Sequence, residues 1–470
     1  MATTTTATAQ QIDINHFYPF GDRGDAELFA RFYQDLAIFD HSAEKWFIWQ
    51  GNYWTADNTK DVYRLFDKIP NFYLTAAATP GVTIDRRDLA KRAGHLMTLN
   101  VMRDVLHLAT SLPELKTDGN AWDENPMILP AGNGVIDLAT GTLRNGSPRE
   151  YIRKHTDITW EGIDAPAPLW EKAISEIMQD DTEMVEFLQR LFGYMLTGKT
   201  TEHILPVFWG KGRNGKGLIL ETIAYVLGDE FTSSAPFSEF VQSSKSENKG
   251  AGNPFLYGLN GKRLIWVSEP AEGARLDLAR VKLLTGGDSI TARTLFQREM
   301  VTFQPTHKII LITNHLPKVD ADDDAAWERI LTVEFGAHFT DNPTAKNDRL
   351  KDRNLPEKLK AEASGILAWL VRGCLMWQAE GLNPPAKVRK FTQAYRDGED
   401  DFTAFCDECL QDAPGAKLAS MAAFKSYQSW AIMNGVDVMT VRKFGAKMTA
   451  RYGNPVRVTA GMMYQNVKTM

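Results

Sequence analysis

The sequence predicts an α/β protein, in which a core of parallel strands with flanking helices is preceded by an α+β domain and followed by a winged helix. Apolar runs that are separated by glycine-rich, polar or helical stretches predict the parallel sheet. The runs are Ile204–Trp209, Arg263–Ser268 and Lys308–Thr313, with Ile330–Phe335 as a candidate fourth. Continuous apolar runs are expected because both faces of such a sheet are covered.

The 470 residues are enough for about three domains. Upstream of the core, a helical pattern runs from Glu27 to Phe39, and two hairpin patterns occupy 46–57 and 133–143. The expected units are a disordered tail (1–12), the α+β domain (13–165), a helical collar or linker (166–200), the α/β core (201–342), a helical segment (343–412) and a basic winged-helix domain (413–470).

The last fifty residues have the order and charge of a small DNA-contacting module. Two predicted helices, 421–434 and 438–452, precede short strands over 455–467. Residues 421–470 hold seven basic residues and one acid, a charge of +6, although the whole chain carries −6. A basic module on an acidic body is typical of a nucleic-acid contact, and a solvated basic surface is the open alternative. The candidate DNA-binding residues are Arg442, Lys443, Lys447 and Arg451.

The composition sets limits on the class of protein. With 43% hydrophobic and 24% charged residues, wholesale disorder is not expected. The sequence contains no run of eighteen apolar residues, so no membrane-spanning helix is expected. The threonine-rich start lacks the features of a secretory signal. Three cysteines fit a reducing cytoplasm. The pair Cys406 and Cys409 is a lone CxxC, which disfavours zinc because no second ligand pair follows.

The strongest motif is the glycine-rich segment 210–217, which lies between an apolar run and the helical stretch Leu218–Leu227. This order is that of a phosphate-binding loop, in which backbone N–H groups, the helix N-terminus and a lysine face the phosphates. The candidate phosphate-binding residues are Gly210, Gly212, Arg213, Asn214, Gly215, Lys216 and Gly217. Gly217 stands where a Ser or Thr usually offers magnesium a hydroxyl, so a water is expected there, and Thr222 is a weak substitute more than a turn away. A glycine-rich turn that binds nothing is the alternative.

Two further apolar runs end in polar residues. Glu269 follows the run 264–268 and is the candidate acid that polarises water or holds magnesium, with Glu272 as second candidate. Asn314 follows the run 309–313 and is placed to orient a water beside a γ-phosphate, unless it only caps a strand.

Two arginines complete the candidate set. Arg298 lies at the polar tip of a predicted hairpin with strands at Thr294–Phe296 and Val301–Phe303, where it could reach a phosphate backbone. Arg329 precedes the fourth apolar run and could serve the γ-phosphate of a neighbouring subunit. A solvated hairpin tip and a salt bridge to one of the acids at 322–324 are the respective alternatives.

Together these motifs resemble the superfamily 3 helicases of the poxvirus D5-like and phage P4 primase-helicase type. The resemblance covers roughly residues 20–468 and is carried by GKGRNGKG, LIWVSEPAEG, KLLTGGDSITAR, IILITNHLP and WERI. It implies a D5-type amino-terminal domain, an AAA+ core and a winged helix. It also implies a Walker A Lys216, a catalytic and magnesium-holding Glu269, a sensor Asn314, an arginine finger Arg329 and a DNA-contacting Arg298. Gly217 and Glu328 depart from the family pattern.

By this resemblance we expect an ATP-dependent DNA helicase that uses Mg²⁺, forms a hexameric ring and moves 3′ to 5′, in the replication of a phage or mobile element. Expected partners are single-stranded DNA in the channel, duplex or origin DNA on the winged helix, and a separate primase or polymerase, in a bacterial cytoplasm without membrane contact. No primer synthesis is expected, since no acidic and zinc-ligand cluster precedes the core. The alternative is a DNA-bound ATP-binding initiator or regulatory module, which Gly217 and the single acid support. A small-molecule kinase leaves the Asn314 strand unexplained.

Overall fold

The computed structural model describes residues 12–241, 253–268, 273–292, 300–459 and 461–470. The amino-terminal part is an α+β unit whose helices enclose an apolar cluster around Phe29, Tyr73 and Val105. Its elements are α1 (Ile14–Phe17), α2 (Asp22–Tyr33), β1 (Ala37–Asp40), β2 (Lys45–Trp49), β3 (Trp54–Ala56), α3 (Val62–Phe66), α4 (Lys68–Ala77), α5 (Arg86–Leu96), α6 (Leu99–Ala109), β4 (Lys116–Thr117), β5 (Ile128–Ala131), β6 (Gly134–Asp137) and β7 (Thr142–Arg144).

Both predicted hairpins of this unit are confirmed, because β2 pairs antiparallel with β3 and β6 pairs antiparallel with β7. The prediction of a helical pattern as far as Phe39 is wrong, since α2 ends at Tyr33 and Phe39 belongs to β1. Phe39 instead meets Trp46 of β2 edge to face, with ring centroids 5.4 Å apart. Pairing with a neighbouring strand therefore overrides the helical spacing of these aromatic residues.

Two helices, α7 (Pro168–Ile177) and α8 (Thr182–Leu196), lead into the core. The core elements are β8 (Leu205–Trp209), α9 (Lys216–Leu227), β9 (Thr232–Pro236), α10 (Pro254–Gly258), β10 (Leu264–Ser268), α11 (Leu278–Thr285), β11 (Ile290–Ala292), β12 (Val301–Phe303), β13 (Lys308–Thr313), α12 (Asp324–Trp327) and β14 (Ile330–Glu334). Five strands form one parallel sheet in the order β14-β8-β13-β10-β9. The four predicted strands are confirmed, and β9 was not predicted because its sequence, Thr-Ser-Ser-Ala-Pro, lacks an apolar run.

The sheet is buried on both faces. Phe208, Ile310 and Val333 join a cluster with α8 and α9, whereas Val207 and Leu311 join the cluster on the opposite face. This alternation follows from the two-residue period of a strand. The strands β8, β13 and β10 are parallel neighbours in the sheet, so their carboxyl ends lie side by side at one edge, although β10 precedes β13 in the chain.

After the sheet come β15 (His338–Thr340), β16 (Asp348–Leu350), α13 (Leu355–Lys360), α14 (Ala363–Glu380) and α15 (Ala386–Gly398). Helix α14 packs against α8, and the Gln189 side-chain amide donates to the Trp369 carbonyl at 3.0 Å. No helix among the described residues has both the length and the apolar character that crossing a membrane requires.

The carboxyl-terminal unit consists of α16 (Asp401–Cys409), β17 (Leu410–Ala419), α17 (Ser420–Met433), α18 (Val441–Tyr452), β18 (Val456–Val458) and β19 (Gly461–Thr469). Two helices followed by strands appear as predicted, and β17 pairs antiparallel with β19. The boundary expected at 413 falls inside β17, where Pro414 and Gly415 lie at an irregularity of the pairing. Phe402 and Cys406 of α16 belong to the same apolar core as Phe444 of α18, so the packing of this unit begins before that boundary.

Candidate functional site

The glycine-rich loop follows β8 and ends where α9 begins at Lys216. Gly212, Arg213 and Gly215 have positive φ angles of 93°, 49° and 86°. A Cβ on Gly215 would lie 2.5 Å from side-chain carbons of Ile177 on α7, so both the backbone angle and the available space require glycine here. The sequence therefore sets the sharp turn that leads from the strand into the helix.

Hydrogen bonds to neighbouring strands fix this loop. The Gly210 N–H donates to the Thr313 carbonyl at 3.2 Å, and the Asn214 side-chain amide donates to the Phe335 carbonyl at 3.3 Å. The Phe339 N–H donates to the carbonyl of Arg213 at 2.7 Å. The loop is therefore held by the chain that leaves β13 and the chain that leaves β14.

Lys216 and Asn314 meet, as their predicted roles require. The Lys216 side chain is only 5% exposed, and its Nζ donates to the Gly210 carbonyl at 2.6 Å and to Asn314 Oδ1 at 3.3 Å. This contact exists because β13 lies directly beside β8 in the sheet. A buried ammonium group at a helix N-terminus provides a strong positive potential at this point.

An open cavity of about 850 Å³ adjoins the loop and is lined by polar, charged and apolar residues. We call the part formed by loop residues 212–217, Glu221, Ser268 and Asn314 its polar end. The lining also includes apolar residues, Leu169, Ala173, Phe339, Leu350, Leu355 and Pro356, and the charged residues Lys172, Glu176, Lys351 and Asp352. A cavity that combines convergent polar groups with apolar side chains suits an amphipathic ligand that carries an anionic group.

The hard-oxygen donors at the polar end are the Glu221 carboxylate, the Ser268 hydroxyl and the Asn314 amide. Oxygen ligands of this kind are those that Mg²⁺ prefers. Thr222, the weak substitute for the missing hydroxyl, is 6% exposed and does not line the cavity. The sequence prediction missed Glu221, although residues four apart share one face of a helix and Glu221 stands four residues after Gly217.

The structure does not bring every predicted residue to this cavity. Arg329 precedes β14, so it lies at the edge of the parallel sheet opposite the loop, about 16 Å away along the five-residue strand. One of its terminal nitrogens donates to the Ala325 carbonyl, and its Nε is buried without a hydrogen-bond partner among the described residues. Within its own chain, Arg329 therefore does not reach Lys216.

Two predicted residues, Glu269 and Arg298, lie outside the described residues, as does the second candidate acid Glu272. The strands that flank the Arg298 segment, β11 and β12, pair antiparallel. The predicted strand Val301–Phe303 is confirmed as β12, whereas the predicted strand Thr294–Phe296 lies outside the described residues and β11 lies in the segment expected to form a turn. Ser268, the last residue of β10, lines the cavity, so the chain reaches its polar end directly before Glu269.

The predicted DNA-binding residues of α18 differ in their surroundings. The Lys443 ammonium lies 3.0 Å from an Asp320 carboxylate oxygen and 3.2 Å from one of Asp322, while Lys447 lies 2.5 Å from Asp322. Burial alone would lower the pKa of Lys443, but these carboxylates outweigh it and raise the pKa. Both lysines thus pair with carboxylates of the core, and their role in DNA binding stays a prediction.

The other two basic residues of α18 are arranged differently. Arg451 forms an ion pair with Asp407 of α16 at 2.7 Å, whereas Arg442 is exposed. The sequence prediction missed the partners because the acidic segment 320–324 belongs to the core and lies far from α18 in the chain. Cys406 of the CxxC pair is buried in the apolar core and Cys409 lies at its margin.

Family models match the two main parts of the chain. A model described as "D5 N terminal like" matches residues 26–179, and a model of a family of unknown function (DUF5906) matches residues 208–329. The second match begins within β8 and includes the loop, Lys216 and Asn314.

Curated relatives come from large DNA viruses. The chain is 29% identical over 322 residues to "Putative helicase L207/L206" of Acanthamoeba polyphaga mimivirus, a match that covers 66% of this chain and 33% of the relative. It is 27% identical over 407 residues to "Putative helicase 022R" of Frog virus 3, covering 71% and 41%. It is 24% identical over 310 residues to "Putative primase C962R" of African swine fever virus, covering 63% and 32%. The chain thus spans about a third to two fifths of these relatives.

A solved structure of the NrS-1 C-terminal region (305–718) aligns with 95% of this chain and 100% of its own, with a TM-score of 0.49 and 11% identity. The fold and the loop define the class of protein: an α/β protein with a parallel sheet, whose first strand is followed by a P-loop-type turn and a helix. Residues 26–179 thus match the D5-type amino-terminal family, and the chain is similar to viral proteins named putative helicase or putative primase, which supports the expected resemblance to the D5-type primase-helicases.

Proposed function

We propose that this chain is an ATP-driven DNA helicase with an AAA+ core, acting in the replication of a virus, phage or other mobile element. The observation that carries the proposal is the contact between Lys216 Nζ and Asn314 Oδ1, 3.3 Å, at the polar end of the cavity. The sheet order supports it, because Asn314 ends a strand that lies between the strand of the loop and the strand that leads to Glu269.

In the proposed reaction the chain supplies binding and positioning. Backbone N–H groups of the loop and the Lys216 ammonium bind the ATP phosphates, and apolar side chains of the cavity lining contact the base. Magnesium, when bound, neutralises phosphate charge. Glu269 accepts a proton from the attacking water, which Asn314 orients. Arg329 of a neighbouring subunit stabilises the developing charge, which requires a ring, proposed to be hexameric.

The same proposal assigns the contacts with DNA. Arg298, in the segment between β11 and β12, follows one DNA strand through the ring in the 3′ to 5′ direction. The carboxyl-terminal unit acts as a winged helix in which α18 contacts duplex or origin DNA, chiefly through phosphates. A separate primase or polymerase serves the same fork, and primer synthesis is not assigned to this chain. The proposed location is the cytoplasm of the infected cell, bacterial if the element is a phage.

The first test is ATP hydrolysis by the purified chain with and without single-stranded DNA. We expect turnover that DNA stimulates, and we expect Lys216→Ala to reduce it at least about a hundredfold, because one preorganised charge beside the phosphates is lost. Lys91→Ala, which removes an exposed lysine from α5, is the matched control and should leave turnover unchanged.

A second candidate function is a DNA-bound ATP-binding initiator or regulatory module that unwinds nothing. Gly217 favours it, because the loop lacks the hydroxyl that a hydrolytic site normally offers to magnesium. Tight ATP binding without DNA-stimulated turnover in the same assay would support this module and contradict the helicase.

A further inference from the structure

We propose that the Glu221 carboxylate takes the place of the missing Ser or Thr hydroxyl and binds the Mg²⁺ that accompanies the nucleotide. The inference rests on the proposed ATP site and assigns a residue to it that the sequence motifs do not contain. Gly217 and Glu221 then act as a pair, in which the glycine leaves the space and the glutamate, one helical turn later, fills it with an oxygen ligand.

The geometry of α9 carries this proposal. A Cβ on Gly217 would lie 3.8 Å from Glu221 Oε1, the nearest side-chain atom among the described residues. Side chains of a helix lean toward its N-terminus, so the carboxylate of residue i+4 lies over residue i. A hydroxyl at Gly217 would stand one covalent bond from that Cβ, with Mg²⁺ about 2.1 Å beyond it. The carboxylate oxygen therefore lies on the side chain that can reach the region where such an ion would bind.

The surroundings of the cavity single out this carboxylate. Of the described residues that line the cavity, Glu176, Glu221 and Asp352 carry carboxylates. Glu176 lies 3.7 Å from the Lys172 ammonium, and Asp352 lies 2.7 Å from the Lys358 ammonium. Glu221 is on the helix that begins with Lys216, so it is the carboxylate placed beside the phosphate-binding end.

A carboxylate at this position changes how nucleotide binding depends on metal. Without a cation, its negative charge repels the phosphates, and with Mg²⁺ it becomes a ligand that attracts them through the metal. A hydroxyl is neutral and has only the second effect. We therefore expect wild-type binding to depend on Mg²⁺ more steeply than binding by a Glu221→Gln variant.

The experiment measures equilibrium binding of a fluorescent, non-hydrolysable ATP analogue to the full chain, in Mg²⁺ and in EDTA. We expect Glu221→Gln to reduce the tightening by Mg²⁺ about tenfold or more, as loss of a charged ligand does, while binding in EDTA stays equal or improves. Adding Gly217→Ser to that variant should restore much of the Mg²⁺ effect, since the structure leaves room for the hydroxyl. Glu357→Gln, which removes an exposed charge from α13 outside the cavity lining, is the control.

A second readout follows the metal directly, by the electron paramagnetic resonance of Mn²⁺ bound with the analogue. We expect Glu221→Gln to weaken Mn²⁺ binding while its thermal midpoint stays that of the wild type, because Glu221 is exposed. An unchanged Mg²⁺ effect and unchanged Mn²⁺ binding in Glu221→Gln overturn the role of Glu221 alone. Failure of the wild type to bind the analogue in either buffer overturns the ATP site itself, and this inference with it.

Discussion

Three basic residues, Arg263, His307 and Lys308, are buried where β10 and β13 begin, at the edge of the sheet opposite the cavity. Arg263 donates to the carbonyls of Leu196 and Ile128, and Lys308 donates to the carbonyl of Thr197. Carbonyl groups at the end of α8 carry partial negative charge, which favours cations beside them. Arg263 and Lys308 therefore join the core to the end of α8, and Arg263 also joins it to β5 of the amino-terminal unit.

His307 provides a prediction about pH. Burial, followed by the nearby Lys308, lowers the pKa of His307 to about 4, and its ring lies 3.1 Å from the Leu284 carbonyl. Because the folded pKa is below the unfolded value of about 6.5, the stability from neutral His307 is present above pH 6.5 and is lost as the pH falls toward 4. At pH 5.5 the loss amounts to about 1.4 kcal/mol.

The measurement compares thermal unfolding of the wild type and His307→Gln at pH 7.5 and pH 5.5. The variant should lose less stability on acidification than the wild type, since it has no group to protonate at this position. His16→Gln, which changes a partly exposed histidine of α1, should behave like the wild type. Equal losses in the wild type and in His307→Gln would contradict the prediction.

At the scale of elements, the acidic segment 320–324 of the core and the helix α18 form a charged interface. Burial alone would raise the pKa of the Asp320 carboxyl, but its contacts, chiefly the hydrogen bond with Lys443, lower the pKa below the usual value. The pair is therefore ionised near neutral pH. If α18 contacts DNA as proposed, phosphates must compete with Asp320 and Asp322 for Lys443 and Lys447. The interface then limits how strongly the carboxyl-terminal unit binds duplex DNA.

Removal of the competing charges should strengthen DNA binding. We expect Asp320→Asn with Asp322→Asn to raise the affinity for duplex DNA about tenfold at low salt, because the ion pairs of these aspartates with Lys443 and Lys447, typically up to about 1 kcal/mol each, no longer compete. Fluorescence anisotropy measures it, and the gain should shrink as salt is raised. The charge-matched control is Asp341→Asn with Asp397→Asn, away from α18. An equal gain in the control would attribute the effect to net charge alone.

At the scale of the whole molecule, the position of Arg329 bears on assembly. It lies at the edge of the sheet opposite the loop. It can therefore stabilise the charge on a γ-phosphate, as proposed, only in the site of a neighbouring subunit. We expect Arg329→Ala to reduce ATP turnover about a thousandfold, the lower range for an arginine finger, while nucleotide binding is retained. Turnover per chain in the wild type should rise with protein concentration as subunits assemble.

The control for this prediction is Arg353→Ala, which removes an exposed arginine that pairs with Asp341. Sedimentation in the presence of an ATP analogue and forked DNA reports the assembly state alongside turnover. If the protein is strictly monomeric under these conditions and Arg329→Ala turns over ATP as fast as the wild type, a role for Arg329 in a neighbouring subunit's site is excluded. The hexameric ring is then excluded as well.

The amino-acid sequence by itself determined four of the five strands of the core sheet, and the loop. Lys308–Thr313 forms a strand with the bounds read from the sequence, and the segment 210–217 turns as predicted. Both follow from local rules, namely apolar runs that seek burial and glycines that permit positive φ angles. The resemblance to the D5-type family is also supported, because family models match residues 26–179 and 208–329, and the second range contains the loop.

Only the tertiary structure decided which of these parts meet. The order of strands places Asn314 beside Lys216, the polar strand β9 pairs at the edge without an apolar run, and Asp322 faces Lys447 across a long stretch of chain. Such contacts depend on sheet order and on the packing of distant segments, which no local pattern of residues encodes.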